Sequence, residues 1–184
     1  MIDARIEQAL LATGVKSRVL ARQHAEALSS AMEQFEINTP QRMAYALAQF
    51  AHETGGWRWL RELGGVAYFK KYEGRQDLGN TYPGDGARFR GRGYIQLTGR
   101  TNYAQAGFAL SLNLIEHPAQ LETPEIAAKV ACWWWNNHGL NELADAGDFR
   151  KITKRINGGY NGMGDRLEKL RIIRPFFFTE TKND

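Results

Sequence analysis

Apolar residues recur at three- and four-residue spacing through most of the chain, the pattern of helices that bury one face. Ile2, Ile6, Leu10 and Leu11 predict a first helix, with Gly14 as its stop. A second helix starts at Ser17 and carries Leu20, His24, Leu28, Met32 and Phe35. Asn38-Thr39-Pro40 is a start signal, because Thr39 offers the oxygen of an N-cap and Pro40 suits the first helical position. The helix it opens puts Met43, Leu47, Phe50 and Ala51 on one face and stops at Gly55-Gly56. Beyond residue 100, Thr101 predicts a capped helix through Ala109, and Thr123-Pro124 opens another to His138. Asp148 caps a helix to Asn157, and a last one runs from about Asp165 to Ile173, stopped by Pro175.

Residues 57–100 break this pattern. Glycine is frequent, and Pro83-Gly84-Asp85-Gly86 marks a turn. Arg88-Phe89-Arg90 and Tyr94-Ile95-Gln96-Leu97-Thr98 alternate polar and apolar, which predicts two short strands around Gly91-Arg92-Gly93. The expected fold class is mainly α: a single domain over 1–184 with a small β-ribbon or loop insert in its middle. Its helical N-terminal part covers about 1–39 and its motif-bearing core about 40–170.

With 184 residues, the chain buries roughly 70% of its unfolded surface and needs no disulfide or metal to fold. Cys132 is the single cysteine, so neither an intrachain disulfide nor a cysteine-cluster zinc site is expected. No run of apolar residues approaches the length of a membrane span. Asp3, Arg5 and Glu7 interrupt the N-terminal apolar residues, so no signal peptide is expected and synthesis is placed in a cytoplasm. Charge is unevenly spread. Residues 58–100 hold nine Lys/Arg against four acids, and residues 150–184 again nine against four, on a body that is net −6 elsewhere. Two basic segments point to a polyanionic partner: nucleic acid, an anionic membrane face or the bacterial wall.

His52-Glu53-Thr54-Gly55-Gly56 holds the first candidate chemistry. A zinc protease motif would need a second His one turn on, and that residue is Gly56. What remains is a carboxylate in the last turn of a helix, where the negative dipole end and apolar neighbours both favour its protonated form, as a general acid requires. Glu62 follows nine residues later. The Gly55-Gly56 break lets the chain fold back, so that the two carboxylates can face one another with a water between them, roughly 6.5–9.5 Å apart as in an inverting glycosidase. Glu73 is a second candidate for the partner role. The Arg88–Thr98 ribbon fits either phosphate contacts with base stacking or a sugar cleft. Gly91 and Gly93 form no dinucleotide fingerprint, since its third glycine falls on Gln96.

Taken together, His52-Glu53-Thr54-Gly55-Gly56, Glu62, Gly91-Arg92-Gly93-Tyr94-Ile95-Gln96-Leu97-Thr98, Asn102-Tyr103, Ile156-Asn157-Gly158-Gly159, Asn161-Gly162 and Arg166 resemble glycoside hydrolase family 19. That family contains plant-type chitinases and phage endolysins, and Asp77–Thr81 with Pro83–Gly86 looks like the endolysin branch. The resemblance implies a lysozyme-like fold and single-displacement, inverting hydrolysis of a β-1,4 glycosidic bond, with no cofactor. It implies Glu53 as general acid, Glu62 as general base and Thr98 as a holder of the attacking water. It matches Gln96, Asn102 and Asn157 to substrate-binding positions, beside Tyr94 of the ribbon as a further substrate-binding candidate, and Arg166 to a cation beside the carboxylates. Measured by the plant spacing, Glu73 becomes the rival base.

The leading expectation is therefore an endolysin-type muramidase that cuts the MurNAc–GlcNAc backbone of peptidoglycan. It would be monomeric and reach the wall after membrane opening by a holin. The basic segment from Lys151 to Phe178 offers contact with an anionic membrane, unless its apolar residues pack on the domain. A chitinase of the same fold, a lytic transglycosylase and a nucleic-acid-binding module are the other readings. The last leaves the placement of Glu53 and Glu62 unexplained.

Overall fold

The computed structural model describes residues 2–178. Three helices build the first third: α1 (Ala4–Thr13), α2 (Arg18–Gln34) and α3 (Pro40–Glu53). Each starts on a side-chain cap, from Asp3, Ser17 and Thr39 in turn. Two four-residue helices, α4 (Val66–Phe69) and α5 (Asp85–Arg88), lie in the glycine-rich segment among short 3-10 turns. The rest is α6 (Arg100–Leu110), α7 (Pro124–Asn137), α8 (Leu140–Asp145), α9 (Phe149–Asn157) and α10 (Met163–Phe177). No helix among the described residues is long and apolar enough to cross a membrane.

The middle of the molecule is α3. Pattern predicts one buried face, but every residue from Met43 to Ala51 is buried. Ala44, Ala46, Ala48 and Ala51 make this possible, since their small side chains let neighbouring helices approach from several sides. Helix α10 lies along α3 and also packs on α1, while α2 packs on α1 and α7. Of the three consecutive tryptophans in α7, only Trp135 is fully buried, with its ring edge-on to Phe50.

The expected ribbon is not a pair of strands. Only two isolated bridges form among the described residues, Arg61 with Arg92 and Arg92 with Leu97. Gly93 and Gln96 take φ of 76° and 52°, which turns the chain so tightly that pairing cannot extend past one step. Arg88 closes α5 and Phe89 is core, so 88–90 is not a strand either. Thr101 does not cap α6. The helix begins after Gly99, whose φ of 97° and contact with Leu78 leave no room for a side chain, while Thr101 packs against Gly79. Pro175 does not end α10, which runs to Phe177. Pro175 lies on the exposed side near the helix end, so it forfeits one solvent-side bond while Ile173 and Phe177 stay docked in the core. Helix α8, directly after Gly139, has no counterpart in the sequence-based expectation.

Candidate active site

Glu53 is the last residue of α3, followed by Gly55 and Gly56 with φ of 59° and 75°. The chain folds straight back: the amides of Arg58 and Trp59 both donate to the Thr54 carbonyl, at 3.0 and 3.1 Å. Glu53 Oε1 accepts from Arg166 Nη2 at 2.5 Å. Arg166 comes from α10 and is fully buried. Its Nη1 donates to Gln49 Oε1 at 2.5 Å, and its Nε donates to the Asn161 carbonyl at 3.3 Å. Gln49 is itself held, donating from Nε2 to Thr153 Oγ1 of α9 at 2.8 Å. Beside this, His52 Nδ1 meets Asp165 Oδ2 at 2.7 Å. Two adjacent residues of α3 are thus tied to two adjacent residues of α10. Gly162 permits the close approach, because a Cβ there would lie 2.2 Å from the His52 ring. Gln49 was not singled out from sequence, although its position four residues before Glu53 puts both on one helix face.

Glu62 sits on the returning segment, with its amide donating to the Gly91 carbonyl at 2.7 Å. Its Oε1 accepts from Lys71 Nζ and Tyr72 Oη, both at 3.0 Å, and its Oε2 accepts from the Gly91 amide at 3.3 Å. Burial alone would push this carboxyl up, but hydrogen bonds from Lys71, Tyr72, Tyr68 and Gly91 outweigh it and hold the pKa below the ordinary carboxylate value. The carboxylate therefore stays ionised into acid. Lys71→Met should move the acidic limb of the kcat/KM–pH profile to higher pH, since it removes a cation that favours the ionised form. An unmoved limb would detach that limb from Glu62.

Thr98 Oγ1 donates to the Gln96 carbonyl at 3.0 Å. Asn102 Nδ2 donates to the Thr98 carbonyl at 2.6 Å, so its amide braces this turn. Asn157 is exposed at the end of α9, one turn beyond Thr153. Two expectations need correction. Tyr94 is fully buried, stacked on Phe50 and edge-on to Trp57, with its hydroxyl bonded to His24 Nδ1, so it is core and cannot touch a sugar. Glu73 is exposed, but its two oxygens accept from the amides of Gly84 and Gly86, at 2.5 and 2.9 Å. It braces the 82–88 turn and is not free to activate a water. The basic segment 58–100 is also less available than its charge suggests. Arg61, Lys71, Arg75, Arg92 and Arg100, five of its nine cations, pair with carboxylates of the chain itself.

A helical domain with one carboxylate at a helix end and a second on a short glycine-rich loop is the architecture of a lysozyme-like glycoside hydrolase. The family model for class I chitinases matches residues 9–144. A family 19 domain-containing protein of Haemophilus influenzae is 32% identical over 80% of this chain and 86% of its own. An endochitinase of Arabidopsis thaliana is 35% identical over 64% of this chain, but the match spans only 39% of that longer protein. Chitinase C of Streptomyces griseus shares the fold, with a TM-score of 0.74 at 24% identity over 95% of this chain and 75% of that one. The chain belongs to glycoside hydrolase family 19.

Proposed function

We propose that this chain is a muramidase of endolysin type that hydrolyses the β-1,4 MurNAc–GlcNAc backbone of peptidoglycan with inversion. The observation that carries the two-carboxylate mechanism is a second carboxylate, Glu62, held ionised on the segment that folds back from the Glu53 helix end. Glu53 is tied through one oxygen to Arg166, at the negative end of α3. Glu62 is kept ionised, with Lys71 and Tyr72 on one oxygen and Gly91 on the other. In the reaction, Glu53 gives its proton to the leaving glycosidic oxygen as the C1–O bond breaks. A water forms the new bond to C1 from the opposite face and gives its proton to Glu62. A lytic transglycosylase has no use for a base held ionised in this way.

Peptidoglycan is favoured over chitin by charge. Its peptide stems carry carboxylates, and chitin carries none. Arg58, Lys70, Arg150, Lys154 and Arg155 are exposed cations with no carboxylate in ion-pair contact among the described residues. The chitinase reading is supported by the names of the plant relatives. Internal pairing of five of the nine cations of segment 58–100 weighs against nucleic acid. Membrane contact through the last segment loses its apolar face, because Leu170, Ile173 and Phe177 are buried in the core. The proposed setting is a cytoplasm-made monomer that reaches the wall through a holin lesion.

The deciding experiment digests purified peptidoglycan and N-acetylchitohexaose, reduces the products with borohydride and identifies the ends by mass spectrometry. Reduced MurNAc ends are expected. Reduced GlcNAc ends would move the cleaved bond, and anhydro-MurNAc ends would make the enzyme a transglycosylase. Cleavage of the chitin oligomer with peptidoglycan untouched would make it a chitinase.

A further inference from the structure

We infer that Glu73 is a positioning residue for the base: its carboxylate clasps the turn that carries Lys71 and Tyr72, and so holds both side chains on Glu62. This rests on the reading of Glu62 as base. The chain from Phe69 to Glu73 makes one 3-10 turn, Lys70–Tyr72. Its first end is fixed by Phe69, which is buried and lies under the Arg90 guanidinium, 4.4 Å from the ring centroid. The other end has no such apolar anchor, since Lys70, Lys71 and Glu73 are exposed and Tyr72 is only half-buried. Polar clasps hold it instead. Glu73 Oε1 accepts from the Gly84 amide at 2.5 Å, and Oε2 from the Gly86 amide at 2.9 Å. Asn80, fully buried, donates from Nδ2 to the Tyr72 carbonyl at 2.9 Å, while its Oδ1 accepts from the Arg100 amide at 2.8 Å.

Gly86 shows how closely the two pieces meet. A Cβ there would lie 2.6 Å from the Phe69 carbonyl oxygen and 2.9 Å from the Glu73 amide nitrogen, so glycine lets α5 lie against the turn. Just past the clasp, Gly74 takes a φ of 67°, and a Cβ added to it would meet no atom within 4 Å. A carboxylate bonded to two amides makes a stronger link than a neutral side chain could. Its effect reaches Glu62 through the two residues before it. Lys71 Nζ and Tyr72 Oη both end on Glu62 Oε1 at 3.0 Å. The titratable groups that lower the Glu62 pKa are Lys71, Tyr72 and Tyr68, all from this one segment. The other cations nearby are engaged elsewhere: Arg61 and Arg92 with Glu122, and Arg90 with the Phe69 ring. The charge of Glu62 is thus governed from one turn, and Glu73 governs the turn. No proton passes through Glu73 in the reaction, so its share is placement.

The test follows the Glu62 carboxyl carbon directly by NMR titration, beside kcat/KM–pH profiles on N-acetylchitohexaose and on soluble uncrosslinked peptidoglycan strands. The variants are Glu73→Ala, Glu73→Gln, and Glu73→Ala added to Lys71→Met/Tyr72→Phe, with Glu62→Gln as control. Glu73→Ala should raise the Glu62 pKa, because the groups that favour its ionised form lose their seat. The acidic limb should move to higher pH with it, and kcat/KM should fall roughly tenfold. Glu73→Gln keeps one acceptor for two amides and should lie between wild type and Glu73→Ala. On the Lys71→Met/Tyr72→Phe background the link is already cut, so the further loss should stay under about twofold. A merely structural brace would give the same loss on both backgrounds and leave the Glu62 titration unmoved, which overturns the inference. Glu73→Gln as inactive as Glu62→Gln would make Glu73 itself a base, and overturns it too. If Glu62→Gln retained full kcat, the base reading would fail by itself, while the Glu62 titration would still decide whether Glu73 places Lys71 and Tyr72.

Discussion

Glu53→Gln should lower kcat by about 10^2- to 10^4-fold while the fold stays intact, the range that removal of a general acid produces. Glutamine has the shape of glutamate, and its carbonyl can still accept from Arg166 Nη2 in place of Glu53 Oε1. The helix end, the Gly55-Gly56 break and the packing of α3 on α10 are unchanged by the exchange. What disappears is the carboxyl proton that the proposed mechanism delivers to the leaving oxygen. Thermal unfolding should shift little, and substrate should still bind. Circular dichroism melts and product release from the preferred substrate check both halves. Retention of more than about a tenth of wild-type kcat would remove Glu53 as the acid, since general acids contribute at least 10^2-fold.

Arg166→Ala should do more damage to the molecule and nearly as much to the chemistry. Arg166 has no solvent exposure, and its guanidinium joins Glu53, Gln49 and the Asn161 carbonyl. Its removal strands the Gln49 carbonyl, leaves Glu53 alone at the negative end of α3 and opens a cavity in the core. Breaking one side of a buried ion pair costs about 3–5 kcal/mol. In a domain of this size each kcal/mol lowers Tm by roughly 2–4 °C. Glu53, released from its side-chain partner, would also lose its aim, at a cost of about 10^2-fold in turnover even where the chain folds. Arg166→Lys supplies one ammonium where the guanidinium spans three acceptors, so it should rescue part of the stability and little of the rate. A variant with unchanged Tm would show that Arg166 is not the joint between α3 and α10.

Much of the scaffold was legible because its signals are short-range. Ser17, Thr39-Pro40 and Asp148 mark helix starts within a few residues, and Gly14 and Gly158 stand at helix ends. Failures came where a distant contact decides. Pro175 reads as a stop until Phe177 is seen docked beyond it. Thr101 reads as a cap until Gly79 occupies it. Tyr94 reads as a cleft residue by its ring and hydroxyl, but left-handed turns at Gly93 and Gln96 break the alternation of the ribbon, and both Tyr94 and Ile95 end up buried. At the site, Glu53 and Arg166 were marked by motif, whereas Lys71 and Tyr72 reach Glu62 through an irregular segment with no periodicity to read. Gln49 was within reach of helix spacing alone.

The rungs between α3 and α10 also set a timetable. His52 and Asp165, like Glu53 and Arg166, stand 113 residues apart in the chain. Contacts of such separation form late, after local helices have closed cheaper loops. On the ribosome, Glu53 has emerged and α3 has formed long before α10 exists to receive it. A nascent or prematurely terminated chain that ends before Asp165 lacks both anchors of the acid. The joint between α3 and α10 thus waits on synthesis through Arg166, and a nonsense mutation upstream of it leaves a chain without that joint.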